Sequence, residues 1–221
     1  IEAYSAVTLN GSIDVVIEQG DKKSVDVIAD ENLQDIITTE VKDNTLIIST
    51  KPHTGFNTKN KTEVHVYNSK LESVSVNGSG DISGKGKFQF GDLNIDINGS
   101  GDIDLTADAN NLHLNTKGSG DIKMEGNYNK VEASSNGSGD IKLKGSAIAL
   151  EFTSAGSGDL DAFGLKVNDA TIKTRGSGDA KVNAEKSLTV QSNGSGDVSY
   201  KGIPLSKDIS MKGSGGCRHA D

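Results

Sequence analysis

The segment Asn98-Gly99-Ser100-Gly101-Asp102-Ile103 contains the tetrapeptide Gly-Ser-Gly-Asp, which the chain repeats at nearly constant intervals. Full copies begin at Gly78, Gly99, Gly118, Gly137, Gly156, Gly176 and Gly194. A degenerate eighth copy begins at Gly213 and has Gly216 in place of the aspartate. The intervals between the eight starts are 21, 19, 19, 19, 20, 18 and 19 residues. A near-constant interval of this size is typical of repeat proteins, in which each repeat is one structural unit.

Apolar and polar residues alternate along each repeat, and the two motif glycines fall on the apolar side. Leu93, Ile95 and Ile97 precede one copy of the motif, and Ile103 follows it. Because successive side chains of a strand point to opposite faces, each repeat is predicted to be a half-buried strand with a bend at the motif. The glycines are expected to point inward at a bend that has no room for a Cβ atom: Gly78, Gly80, Gly99, Gly101, Gly118, Gly120, Gly137, Gly139, Gly156, Gly158, Gly176, Gly178, Gly194 and Gly196.

A single unit of this kind cannot bury its apolar edge alone, whereas stacked copies can. The sequence therefore predicts an all-β protein, a single-stranded right-handed parallel β-helix with rungs of about 19 residues. A second bend is expected eight residues after the start of each motif, where Gly or Ala recurs. Propeller blades need about 40 residues, and calcium-binding β-rolls repeat every nine, so neither fits the interval.

The region before the repeats is less regular. Residues 1–70 are predicted to be an N-terminal β segment packed on the solenoid, 71–216 the regular β-helix and 217–221 a tail. Within the first segment, Asn10-Gly11-Ser12-Ile13-Asp14 is interpreted as a degenerate first copy of the motif. A second strand is expected at 24–29, a helical turn within 30–39, a polar loop at 51–62 and a strand at 63–67. Residues 38–50 are predicted to form a hairpin around Asp43-Asn44, both tolerant of positive φ.

Composition excludes several functional classes. The 221 residues carry 23 Lys and Arg against 31 Asp and Glu, a net charge of −8, which disfavours a nucleic-acid partner. Apolar runs are too short to span a membrane, and any signal peptide is expected to be absent from this mature chain. The single cysteine, Cys217, rules out an intramolecular disulfide framework and is expected to be an ordinary free thiol.

Stacking would place the seven motif aspartates in one row, with like charges about 5 Å apart. In the first interpretation each carboxylate caps backbone N–H groups at its own bend, and Lys123, Lys142 and Lys181 compensate the charge. In the second, carboxylate and hydroxyl oxygens bind Ca²⁺ between rungs. The third is recognition of sugars along the row. The Ca²⁺ candidates are Asp102, Asp121, Asp140, Asp159 and Asp179, and no other cofactor is indicated.

No catalytic signature stands out. The four histidines, His53, His65, His113 and His219, form no metal-binding spacing, and the repeated serine has no neighbouring histidine to activate it. Pairs such as Asp102 with Asp104 and Asp159 with Asp161 could support a polysaccharide-degrading site of the kind found in pectin-degrading β-helices. Their regular recurrence argues against this, so no catalytic residue is assigned. An apolar ligand would need a groove containing Phe88, Phe90, Phe152 or Phe163, which are expected to fill the core.

Three stretches together resemble a known bacterial family: the repeated Asn-Gly-Ser-Gly-Asp-Ile, the opening residues 5–15, and Glu40-Val41-Lys42-Asp43-Asn44-Thr45-Leu46-Ile47-Ile48. The family is the putative auto-transporter adhesin head, or GIN domain, a domain of unknown function common in Bacteroidetes. The resemblance covers nearly the whole chain and implies an exported β-helical protein of the cell envelope. It implies a location in the periplasm or on the outer surface, with lipid anchoring through a removed leader. The family brings no established catalytic residues with it.

The function expected from the sequence is therefore a non-enzymatic envelope solenoid, an adhesin or ligand-binding module of unknown ligand. A carbohydrate-active protein or a lipid-binding envelope protein is the alternative. A surface glycan or another envelope protein is the expected partner, and homo-oligomerisation is open because solenoid ends expose strand edges that need capping.

Overall fold

The structure, a computed structural model, describes residues 2–20, 24–51 and 62–220. Within these residues the chain is a parallel β-solenoid of about eight turns, which confirms the predicted fold class. The elements are β1 (Ala6–Asn10), β2 (Asp14–Glu18), β3 (Ser24–Ile28), α1 (Glu31–Gln34), β4 (Ile37–Lys42), β5 (Thr45–Thr50), β6 (Glu63–Tyr67), β7 (Ser73–Val76), β8 (Ile82–Gln89), β9 (Asp92–Ile97), β10 (Ile103–Thr116), β11 (Ile122–Ser135), β12 (Ile141–Ser154), β13 (Leu160–Thr174), β14 (Ala180–Ser192), β15 (Val198–Lys201), β16 (Ser206–Met211) and β17 (Cys217–His219).

Each regular rung is one long bent strand followed by the motif. β10 pairs in parallel with β11, and β11 with β12, in a register that places equivalent residues of successive repeats side by side. Ile103, for example, lies beside Ile122, which lies beside Ile141. Equivalent apolar side chains therefore stack inside the solenoid and form one continuous buried core.

The strand bends twice between motifs. Gly86, Gly145 and Gly202, each eight residues after the start of a motif, have positive φ of 92°, 111° and 88°, a conformation that glycine adopts without strain. Beyond this point the alternation breaks: neither Asn110 nor Asn111 is buried, although buried residues flank the pair. Positive φ thus occurs at the predicted second bend in three rungs.

The motif glycines are required by contact between rungs. A Cβ atom on Gly99 would overlap the carbonyl oxygen of Gly78, and one on Gly101 would overlap that of Gly80. The same overlap with the preceding rung occurs at every motif glycine. None of these glycines has φ in the left-handed region, where only Gly86, Gly145 and Gly202 occur among the described glycines. The space that a side chain would need is therefore filled by the neighbouring backbone, and the close approach of the rungs excludes other residues.

The N-terminal strands belong to the same sheet as the repeats. β1 lies between β5 and β7, and β2 lies between β6 and β8, all in parallel. The predicted hairpin is confirmed as β4 and β5, with Asp43 and Asn44 at φ of 50° and 61°. β4 and the antiparallel strand β3 flank the first rungs, and α1 is the predicted helical turn. Most of the predicted polar loop, residues 52–61, lies outside the described residues.

The degenerate eighth motif still forms a rung. Gly213 stacks on Gly194 as the other motif glycines do, β16 pairs with β14, and β17 pairs with β15. Residues 217–219, assigned to a tail from the sequence, therefore form a strand, while the boundary at residue 70 stays a prediction.

Replacing Gly118 by alanine tests the steric role of the motif. The new methyl group would collide with the backbone of Gly99, so the rungs must separate. Overpacking of this kind costs about 1–3 kcal/mol, which would appear as a lower urea midpoint in a chemical unfolding experiment. Gly91→Ala is the matched control, because a Cβ atom there meets nothing within 4 Å and its φ is not positive. Equal midpoints for Gly118→Ala and Gly91→Ala would contradict the steric explanation.

Candidate functional site

The motif aspartates form a row along one edge of the solenoid, here termed the Asp ladder. Oδ1 of Asp81 accepts a hydrogen bond of 2.8 Å from the backbone N–H of Asp102 in the next rung. The same bond, at 2.7 or 2.8 Å, recurs through the stack up to the backbone N–H of Gly216. The ladder therefore comprises Asp14, Asp81, Asp102, Asp121, Asp140, Asp159, Asp179 and Asp197.

The carboxylates accept hydrogen bonds from backbone N–H groups, as expected, but the expected position of those N–H groups is wrong. Each carboxylate bonds the backbone of the following rung and not that of its own bend, so it joins two repeats. The ladder starts at Asp14, which accepts a hydrogen bond of 3.1 Å from the backbone N–H of Asp81. Asp14 belongs to the degenerate first copy of the motif, so its place in the ladder agrees with that interpretation. At the other end Gly216 supplies its N–H although it lacks the carboxylate.

The Ca²⁺ candidates each have one carboxylate oxygen in this inter-rung bond. Across the described residues, no group of three or more His, Cys, Asp or Glu side chains could hold a metal ion. A cleft of about 230 Å³ beside the ladder includes Asp140, Asp159 and Asp161, with Lys142 and Lys181 among them. Lys142 Nζ lies 3.8 Å from Asp161 Oδ2. Lysines thus lie beside the ladder, but the ion pair of Lys142 is with Asp161, which is outside the ladder, so compensation of the ladder charge by lysine stays a prediction. Ca²⁺ binding also stays a prediction, without support from this geometry.

Another cleft lies on a different face, formed by β9 and the second halves of β10, β11 and β12. This cleft, here termed the polar groove, has a volume of about 530 Å³. Two rows of outward side chains line it, and within each row successive strands contribute equivalent positions. The rows are Asn94, His113, Glu132 and Glu151, and Asp96, Asn115, Ser134 and Thr153.

Charged contacts hold two acidic side chains of the polar groove, Glu132 and Glu151, while Asp96 accepts a hydrogen bond from Asn115. His113 Nδ1 lies 2.8 Å from Glu132 Oε2, and Lys130 bridges Glu132 and Glu151, with a distance of 3.1 Å to Glu151 Oε1. The hydrogen bond from Lys130 lowers the pKa of the Glu132 carboxyl, and the same contact raises the pKa of the Lys130 ammonium. Glu132 is therefore charged at neutral pH, which suits hydrogen-bond acceptance better than proton donation in acid catalysis.

The candidate residues from the sequence are mostly kept apart. Of the three described histidines, His113 alone lines the polar groove. His65 is buried between Glu18 and Glu63, at 2.6 and 2.7 Å, and His219 contacts the carbonyl of Gly202 at 3.0 Å. His53 lies outside the described residues. The pair Asp102 and Asp104 lines none of the described clefts, whereas Asp159 and Asp161 both line the cleft beside the ladder.

The four phenylalanines divide into two groups. Phe88 and Phe152 are buried in the core, as expected. Phe90 is partly exposed but packs against the core, so the expectation holds for it in part. Phe163 is also partly exposed and does not fill the core as expected. Lys201 Nζ lies 5.1 Å from the centre of the Phe163 ring. Cys217 is a partly buried free thiol, and burial raises its pKa, which disfavours the reactive thiolate.

Loss of a ladder carboxylate should loosen two neighbouring rungs. In Asp140→Ala the backbone N–H of Asp159 loses its acceptor, which should cost about 1–2 kcal/mol. Asp140→Asn keeps an oxygen at this position and should cost less. The measurement is the thermal unfolding midpoint, together with hydrogen exchange at the Asp159 amide. Unchanged exchange at that amide in Asp140→Ala would show that the bond does not hold the rungs together.

Comparison with known proteins agrees with these features. The family model described as "Putative auto-transporter adhesin, head GIN domain" matches residues 3–141 and 108–204. A structure titled a putative adhesin from Parabacteroides merdae superimposes with a TM-score of 0.92 at 26% identity. A structure titled a putative lipid binding protein from Parabacteroides distasonis superimposes with a TM-score of 0.89 at 30% identity. Alignment covers 100% of this chain in both cases, and 93% and 94% of the respective relatives.

A putative adhesin from Bacteroides fragilis is similar at a TM-score of 0.74 and 26% identity, covering 100% of this chain and 94% of that one. No curated protein matches the sequence. In the described part of the chain, no helix has the length and apolar character needed to cross a membrane. The matches span the solenoid and its motif copies, and the chain belongs to the family of the auto-transporter adhesin head, the GIN domain.

Proposed function

We propose that this protein is a non-enzymatic, exported module of the cell envelope that binds a neutral polysaccharide along the polar groove. The observation that carries the proposal is the repetition of hydrogen-bonding side chains over four successive strands. A polymer lying along the solenoid axis would meet equivalent amide, hydroxyl and carboxylate groups at every strand spacing of about 4.8 Å. Weak contacts repeated along one polymer add up to useful affinity.

The charge of the groove favours a neutral ligand. Three carboxylates, Asp96, Glu132 and Glu151, line it, against the ammonium of Lys130 at its side. Polymers of uronic acids would be repelled by these carboxylates and by the net charge of −8. Hydroxyl groups of neutral sugars can instead donate hydrogen bonds to the carboxylates and accept them from Asn94 and Asn115.

The envelope location follows from the family, whose description is that of an adhesin head. An exported protein in the periplasm or on the outer surface, lipid-anchored after removal of its leader, would meet glycans and other envelope proteins. The charged carboxylate of Glu132 suits acceptance of hydrogen bonds from sugar hydroxyl groups.

Lipid binding is the second candidate, because one relative at 30% identity carries that name. The apolar side chains of the solenoid interior pack against one another, and the described clefts are lined by polar as well as apolar groups. An acyl chain would therefore gain little buried apolar contact at these clefts. The polar groove suits hydroxyl-rich ligands better.

Binding to dextran, mannan, laminarin and polygalacturonate, measured by affinity electrophoresis and calorimetry, tests the proposal. We expect at least one neutral polymer to bind and polygalacturonate not to bind. The double variant Glu132→Ala/Glu151→Ala should weaken neutral polymer binding at least tenfold, since about 1.4 kcal/mol corresponds to that factor. Glu185→Ala is the matched control, an exposed glutamate of β14 that lines no described cleft.

Three results would contradict the proposal. One is failure of all neutral polymers to bind, and another is equal weakening by the groove and control variants. The third is release of reducing ends that disappears in Asp102→Ala or Asp159→Ala, which would establish a polysaccharide-degrading enzyme. Binding of phospholipid vesicles alone would favour the lipid alternative.

A further inference from the structure

The rung that begins at Gly78 departs furthest from the usual interval. The interval between Gly78 and Gly99 is 21 residues, two more than the usual 19. The register between β8 and β10 shifts accordingly, with Ser83 beside Asp104 but Lys87 beside Thr106. Whereas β10, β11 and β12 run unbroken through the second bend, this rung is divided into β8 and β9 by Phe90 and Gly91.

An aromatic side chain stands at this interruption. Phe90 occupies the position that small or buried residues take in later rungs, yet its ring is only partly buried. It stacks on the fully buried Phe88, with ring centres 5.4 Å apart and planes inclined by 12°. The stacking fixes the orientation of Phe90, so its exposed part is a preorganised apolar surface.

Two clefts meet at this ring. One, of about 480 Å³, is lined by Phe90 and by residues 69–72 of the preceding rung, and the other, of about 300 Å³, is lined by Phe90 and by residues of the following rungs. Both include Gln89 and Phe90, and the larger cleft shares Asn94 with the polar groove.

The polar groups around Phe90 are of two kinds. Asp108 is held by Lys87 at 2.7 Å and by the backbone and side-chain nitrogens of Asn127 at 2.8 and 2.9 Å. Asn110 and Asn129 are exposed, and their side chains make no hydrogen bond within the described residues. The carboxylate of Asp108 and the side-chain amides of Asn110 and Asn129 therefore lie beside the exposed part of the Phe90 ring.

This combination matches the chemistry of a sugar ring. A pyranose has an apolar C–H surface that packs against an aromatic ring, and its rim carries hydroxyl groups that both donate and accept hydrogen bonds. Amides and carboxylates beside the ring satisfy such hydroxyls, while the aromatic surface removes the C–H groups from water.

We propose that the clefts flanking Phe90 form a monosaccharide subsite, with the Phe90 ring as the apolar platform and Asn110 and Asn129 as hydroxyl partners. The proposal shares its ligand class with the proposed function, but it concerns a different place and different residues. Because Asn94 lines both the larger cleft and the polar groove, one polysaccharide can reach from the groove to the subsite.

The test uses NMR of the full chain labelled at phenylalanine and asparagine. Methyl glycosides of glucose, galactose, mannose and N-acetylglucosamine are titrated separately to high millimolar concentration. At least one sugar should produce a saturable shift of the Phe90 signals, and its affinity should fall at least tenfold in Phe90→Ala and in Asn110→Ala. Phe90→Leu should show the same loss while keeping the apolar volume, which separates the aromatic contribution from any effect on folding.

Phe163→Ala is the matched control, since Phe163 is also partly exposed but lines none of the described clefts, and it should keep wild-type affinity. Absence of a saturable shift with all four sugars, or full affinity in Phe90→Leu, would overturn the subsite. Polymer binding that is lost in Glu132→Ala/Glu151→Ala but unaffected in Phe90→Leu would reject the subsite and leave the groove in place.

Discussion

The structure depends on the close approach of successive rungs at the Gly-Ser-Gly-Asp bend. Two glycines place their Cα atoms against carbonyl oxygens of the preceding rung, where no larger residue fits. One residue further on, the aspartate accepts the backbone N–H of the next aspartate. The glycines of a motif pack against the preceding rung, and its aspartate accepts a hydrogen bond from the following rung. Each motif therefore contacts both neighbouring rungs. The long strands between motifs keep their register because the bends on either side are stacked.

Surface residues that recur in every repeat differ in role from surface residues that vary between repeats. A residue type that recurs in every copy, such as the ladder aspartate, already has a structural role between rungs. The arms between the bends are free to vary, and there the outward positions differ from repeat to repeat: Asn94, His113, Glu132 and Glu151 follow one another in a single row. A ligand is therefore expected to contact the faces whose side chains differ from repeat to repeat. The constant spacing of the strands holds those side chains in place.

Much of the fold could be predicted from the residues because the pattern has a direct physical cause. Alternation identified the strands, the motif interval identified the rungs, and Asp43-Asn44 identified the hairpin through its tolerance of positive φ. The partner of the ladder carboxylate could not be predicted, since a bond within a bend and a bond to the next rung require the same residue. The polar groove and the Phe90 clefts also escaped prediction, because they depend on which residues from different repeats become neighbours. Phe90 could only be distinguished from Phe88 once the register of β8 was known.

We expect the Gly-Ser-Gly-Asp bends to hold the solenoid together through the backbone, with no contribution from a cation. Hydrogen exchange at the ladder amides, from Asp81 to Gly216, measures this most directly when it is followed in EDTA and again with excess Ca²⁺. We predict slow exchange at all these amides in EDTA and no further protection on addition of Ca²⁺. Rapid exchange in EDTA that becomes slow with Ca²⁺ would contradict the account and identify the ladder as a metal-dependent site.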